Sequence, residues 1–233
     1  MLEKIRSIVQ ELRRDNTGGH SMNHIDRVYS TAMKFCDAEG GDRAIIGLAA
    51  LLHDVDEWKV IDKTPLKDLS NAKTIMDKCD VPENVREAVL EIIRTMGFSN
   101  ALAGIMPTTL EGRIVSDADM CDAGASGIIR VAEVGANNKR KFFDRNIWPE
   151  PEEKLTVEKY RNVKSSTTIN HFFEKILRLK SYMHTESGKI RQIENSYFIV
   201  SFLRQYFTEN NAPEWVEYLD KYLSKHSISA WKK

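Results

Sequence analysis

The chain has 233 residues, and its 34 Lys+Arg balance its 34 Asp+Glu, so the formal net charge is zero. That balance argues against nucleic acid as the main partner, while the length is enough to bury a substantial core. Three widely spaced cysteines, Cys36, Cys79 and Cys121, form no CxxC pair, which argues against a disulfide framework or a cysteine zinc site and suits a reducing cytoplasm.

The pattern is helical nearly throughout. The opening "MLEKIRSIVQELRRD" is a charged amphipathic helix with an apolar stripe at Ile5, Ile8, Val9 and Leu12, and it lacks the apolar centre of a signal peptide. "NTGG" (16–19) stops it. A second helix carries Ile25, Val28, Ala32 and Phe35 and ends near Gly40-Gly41. Asp42 is placed to cap a third, Arg43 to about Leu52, which is apolar on all sides and so belongs in the centre of a core. Residues 60–70 read as a loop with Pro65 near the next helix start, and Pro82 opens a helix holding Val85, Val89, Ile92 and Ile93.

Residues 97–107 look irregular. A capping box from Thr108 to Glu111 is expected to start the next helix, through "RIVSDADMCDA". Residues 137–164 are polar, contain Pro149 and Pro151, and read as an exposed connection or flap; the "NNKRK" cluster (137–141) is too short to suggest nucleic-acid binding. Two long helices follow, about 166–184 and 188–208, then a short one around Trp215 to Leu223. The stripe Phe172, Phe173, Ile176, Leu177, Leu179 and Met183 suits core or a dimer face. Arg178, Lys180 and Lys189 suit a solvated face or a reach toward phosphate, and His171 and His184 have no evident partner. No apolar run approaches the ~18 residues of a membrane span. The expected architecture is all-α and a single domain over 1–233, with a core of about 17–135 and a helical extension of about 165–226.

The chemistry concentrates where helices built for a core carry ionisable groups. His53 and Asp54 end the most apolar helix, His24 lies on the second with Arg27 one turn on, and Asp119 follows "RIV" with Asp117 and Asp122 around it. Buried ionisable groups are costly unless paired or bound to a metal. Two imidazoles and two carboxylates form a mixed nitrogen and oxygen set that suits Mn²⁺, Fe²⁺, Co²⁺ or Zn²⁺, with Mg²⁺ admissible, better than Ca²⁺. The bland alternative is four satisfied polar groups in a core network.

The ordered set His24, His53-Asp54, Asp119 resembles the signature of the HD-domain metal-dependent phosphohydrolases. "GHSMNHIDRV" (19–28), "LAALLHDVDEWK" (48–59), "RIVSDADMCDAGASGIIR" (113–130) and "NHFFEKILRLKSYMHTESGK" (170–189) are similar to one bacterial branch of that superfamily, which includes nucleoside triphosphate pyrophosphohydrolases. The resemblance covers roughly 17–208. It implies a compact helical bundle with one divalent metal on His24, His53, Asp54 and Asp119, and hydrolysis of a phosphate ester or anhydride, nucleotides being the leading substrates. Asp119 is preferred to Asp117 because the family places its ligand in an Ala-Asp pair.

Glu57 matches the family's acid after His-Asp and would take a proton from water, with Asp56 the neighbour to be distinguished from it. Lys59, Arg27 and His20 would meet phosphate. Asp117 and Asp122 suit capping or the orientation of a ligand histidine. Ser21 stands where the branch commonly has Asp, and Met120-Cys121 where it has Arg-Leu. The expected partner is a small phosphorylated molecule, with room for a homodimer and no membrane. The competing functional reading is a nucleotide- or metal-binding sensor with little turnover.

Overall fold

The structure is a computed structural model that describes residues 1–14, 21–56, 68–161 and 166–228. The described residues contain helices and no strand. They gather into two compact units, the first Met1–Asp122 with Met183–Gly188, the second Ala123–Tyr182 with Lys189–Lys233. The boundary between them falls at Asp122, within the stretch expected as core.

In the first unit, α1 (Leu2–Leu12) buries Ile5 and Val9 and leaves Leu12 exposed. α2 (Met22–Glu39) buries Ile25, Val28, Ala32 and Phe35 and stops at Gly40, whose φ of 88° is readily adopted only by glycine. Asp42 caps α3 (Arg43–Leu52) by accepting from Ala44 N and Ile45 N. As the all-round apolar sequence requires, every residue of α3 from Ile46 to Leu52 is buried, with α1, α2, α5 and α7 packed around it. α4 (Ser70–Asp77) and α5 (Glu83–Thr95) follow, and Pro82 stands at the start of α5 as expected.

Two local expectations need correction here. Residues 97–107 are not wholly irregular: α6 (Phe98–Leu102) forms after Gly97 and buries Phe98. The cap of α7 (Leu110–Met120) is Thr109, not Thr108; its Oγ1 accepts from Gly112 N at 3.1 Å. The third position of the helix is then Gly112, which has no side chain to complete a capping box. Glu111 instead accepts from Asp42 N at 3.0 Å, joining α7 to the start of α3. Among the described residues no helix is long and apolar enough to cross a membrane.

In the second unit, α8 (Ala125–Asn137) leads into the segment expected as an exposed flap. That segment is pinned. Trp148 stacks on Trp215 with ring centroids 4.4 Å apart, Trp215 Nε1 donates to Arg145 O, and the main chain of Thr168 and Ile169 donates to Lys141 O and Phe142 O. It also contains a short 3₁₀ turn at Glu152–Lys154 and α9 (Val157–Arg161). The expected helix over 166–184 is two pieces, α10 (Thr168–Glu174) and a 3₁₀ helix Ile176–Tyr182, broken where Lys175 leaves helical geometry at φ −128°, ψ −64°. The shift in period still buries Phe172, Phe173, Ile176, Leu177 and Leu179, so these residues are core. It also buries Arg178, expected on a solvated face, whose Nη2 donates to Glu150 O. α11 (Glu186–Glu209) and α12 (Pro213–Lys225) complete the chain, with Pro213 in the first turn of α12.

Tyr222 of α12 donates its hydroxyl to Phe173 O at 2.8 Å. Burial pushes that hydroxyl from its ordinary value near 10 up to about 12, against an opposing pull from Arg178. A raised folded value means the stabilisation is whole below pH ~10 and is lost as the pH climbs through about 12. The stability difference between wild type and Tyr222→Phe, measured by thermal unfolding across pH 9–12.5, should therefore shrink by on the order of 2 kcal/mol over that range; parallel profiles would contradict the assignment.

Candidate metal centre

Three helices of the first unit deliver the expected residues to one place. His24 is the third residue of α2, on the same buried face as Ile25 and Val28. His53 closes α3 in helical geometry, at φ −57° and ψ −32°, and the chain turns through Asp54. Asp119 is the penultimate residue of α7, and Asp122 follows that helix's end. Because α2, α3 and α7 pack on one another, the ends of three rigid elements converge.

The two imidazoles meet through Nε2, 3.2 Å apart. His24 Nε2 lies 3.4 Å from Asp119 Oδ1 and 3.5 Å from Asp54 Oδ2, and His53 Nε2 lies 3.8 Å and 3.5 Å from the same two oxygens. Each Nδ1 is engaged elsewhere. His24 Nδ1 donates to Asp122 Oδ2 at 2.7 Å, and His53 Nδ1 donates to Ala50 O at 2.9 Å. With both Nδ1–H groups given away, each Nε2 of a neutral ring is an acceptor.

With both rings neutral, two nitrogen lone pairs and two carboxylate oxygens face one another. A cation relieves that arrangement. Ligands about 2.1 Å from a shared ion and at right angles stand about 3 Å apart, close to the observed spacing, and His24, His53 and Asp119 form a group able to hold a metal. Burial works to raise the Asp119 carboxyl, but His24 and His53, as protonated rings donating and charged beside it, outweigh that and hold the group well below the usual carboxylate range.

The neighbouring acids sort by their partners. Asp122 accepts from Arg27 Nε at 2.7 Å and Nη2 at 2.9 Å as well as from His24, so it fixes the histidine's tautomer and is itself fixed by a bidentate arginine. Arg27, expected to meet phosphate, is therefore anchored on Asp122, with 37% of its side chain exposed.

Asp117 is fully buried and accepts from His184 N, Thr185 N and Thr185 Oγ1. Burial raises its carboxyl while these donors pull the other way. It clasps the segment Met183–Gly188 and is spoken for, and a Cβ at Gly188 would come within 2.4 Å of its Oδ2. Asp56 accepts from Asn71 N and Ala72 N at 2.9 Å each and so caps α4.

The two departures from the branch pattern sit in packing: Met120 is buried, and Cys121 Sγ lies 3.8 Å from Met183 Sδ and 3.5 Å from Gly188 O. His171, without an evident partner in sequence, stacks on Tyr160. Glu57, Lys59 and His20 lie outside the described residues. Sequence reasoning missed Arg13, whose guanidinium donates to Asp54 O; in "ELRRD" it reads as one more solvated cation.

The model of the HD domain matches residues 22–124, from the first turn of α2 past Asp122. The protein YpgQ of Bacillus subtilis is 30% identical over 206 residues, 87% of this chain and 90% of the relative. The chain belongs to the HD-domain family. Among solved structures, one from Lactobacillus plantarum superposes with a TM-score of 0.79 at 29% identity, over 91% of this chain and 97% of that one. A structure described as an HD-superfamily hydrolase from Bacillus thuringiensis has a TM-score of 0.66 at 30% identity, with the same coverages. YpgQ in complex with ADP has a TM-score of 0.68 at 26% identity, covering 90% of this chain and 97% of that one.

If Asp122 orients His24, Asp122→Asn should weaken Mn²⁺ binding by about 10- to 100-fold while leaving the far-ultraviolet circular dichroism unchanged. Calorimetric titration checks this, and an unaltered affinity would remove Asp122 from the HD centre.

Proposed function

We propose that this chain is a metal-dependent phosphohydrolase acting on a nucleotide or a related phosphate ester or anhydride. The observation that carries the reading is the convergence of His24 Nε2, His53 Nε2, Asp54 and Asp119 at the ends of three packed helices. These four residues would hold one divalent ion, Mn²⁺, Fe²⁺, Co²⁺ or Zn²⁺ by their donor chemistry, with Mg²⁺ admissible. When bound, such an ion supplies positive charge to a phosphate oxygen and acidity to a coordinated water. The ADP held by YpgQ supports a nucleotide as the ligand class.

The chain's own groups have separate tasks in this reading. Asp122 and the Ala50 carbonyl hold the two Nδ1 protons, so both Nε2 lone pairs face the centre. Asp119 stays ionised. Arg27, anchored through Nε and Nη2, offers its exposed part to phosphate. Glu57 accepts the proton of the attacking water, and Lys59 and His20 meet phosphate oxygens, an electrostatic grip that persists as charge develops.

A panel of nucleoside tri-, di- and monophosphates and simple phosphate esters, each with Mn²⁺, Mg²⁺, Co²⁺, Fe²⁺ and Zn²⁺, tests the proposal when phosphate and pyrophosphate are read separately. Release that needs the metal and disappears in Glu57→Gln is expected. Nucleotide binding without release under any pairing would overturn the enzyme and leave the sensor.

A further inference from the structure

The residues that match the HD domain begin at 22, so α1 lies outside them. Yet α1 is built against the metal centre. Its Ile5 and Val9 are fully buried, and it packs on α3 so closely that a Cβ at Gly47 would stand 3.3 Å from the side chain of Leu2. Arg6 pairs with Asp26 of α2 through Nε at 3.0 Å and Nη2 at 2.7 Å. Seven residues and two turns later, on the same side, stands Arg13.

Arg13 is the C-cap of α1 and is only 2% exposed. Burying a guanidinium carries a large desolvation cost, so it needs a specific acceptor. Its Nη2 donates to the carbonyl of Asp54. That carbonyl lies just past the C-terminus of α3, where peptide oxygens lack helical donors and the helix dipole is negative. Arg13 also lines an open cleft of about 650 Å³ between α1 and the start of α2, with Ser7, Gln10, Ser21 and Asn23.

We propose that Arg13 is a positioning residue for the metal centre: from α1 it fixes the turn that follows His53 at Asp54 and so sets the direction of the Asp54 side chain. The inference rests on the metal reading of those two residues. The carbonyl belongs to the Asp54–Val55 peptide, while His53 is held by α3 and by its bond to Ala50 O, so a turn of that peptide moves the Asp54 carboxylate relative to His53, His24 and Asp119. An arginine is suited to the task because its planar fork spends one arm on the carbonyl and stays rigid.

The test is Mn²⁺ titration of the full chain freed of metal, with apo thermal stability measured alongside. Arg13→Met, which keeps the apolar stem, should weaken Mn²⁺ binding by about 10- to 100-fold with the helical signal of the apo protein retained. Arg13→Lys should recover part of the loss. Arg6→Met, which removes a half-exposed ion pair, should bind as wild type does. A purely structural role for Arg13 lowers apo stability and leaves the affinity of the folded protein where it was, so Arg13→Met binding within about two-fold of wild type overturns the proposal. Should that variant not fold, Arg13→Lys alone decides, by a several-fold loss or by equality with wild type. Failure of the wild type itself to take up Mn²⁺ would overturn the metal reading, and the proposal with it, before any variant is compared.

Discussion

Two imidazole nitrogens 3.2 Å apart, each also facing carboxylate oxygen, repel one another as neutral rings unless positive charge lies between them. The rest of the first unit holds that arrangement together. In water these groups would separate and hydrate. Here they sit at the ends of helices whose apolar faces are fully buried, so the geometry is fixed by packing that has nothing to do with the ligands themselves. α3 is the clearest case: its run from Ile46 to Leu52 is buried on every side, and the charged residues come only where the helix stops.

The polar residues around the centre form an ordered set of supports. Asp122 takes the far nitrogen of His24 and is steadied by Arg27. A backbone carbonyl takes the far nitrogen of His53. Asp117 and Asp56 secure the segments next to the converging residues, one by clasping Met183–Gly188 onto α7 and the other by capping α4 from the turn after Asp54. These three aspartates within a short reach of the site therefore do three different things, and burial alone does not separate them. What separates them is which donors each one already has.

Much of this was legible in the chain. Helical periodicity gave α1, α2, α3, α5 and α12 close to their observed limits, because each combines a clean apolar face with a strong start or stop such as Asp42, Gly40 or Pro82. The convergence of His24, His53, Asp54 and Asp119 was legible because they form an ordered pattern spread over three helices. Tertiary competition hid other features. Glu111 left its expected capping role for the backbone of Asp42, so the cap moved to Thr109. The stretch after α8 looked like a polar flap because its composition is polar, yet Phe143 and Trp148 pin it through aromatic contacts with Trp215 that no local pattern encodes. Arg13 and Arg27 carry the same lesson: a charged residue on a helix reads as solvated or ligand-binding, and only the fold shows that one caps a foreign helix end and the other holds an orienting carboxylate.

The proposed centre is a single divalent ion held by His24, His53, Asp54 and Asp119. The most direct measurement is metal stoichiometry by elemental analysis after dialysis against Mn²⁺ and removal of free ion. One ion per chain in the wild type, and loss of that ion in Asp54→Ala and in Asp119→Ala with circular dichroism unchanged, is the predicted result. Full occupancy in either variant, or none in the wild type with any of the candidate metals, would contradict it.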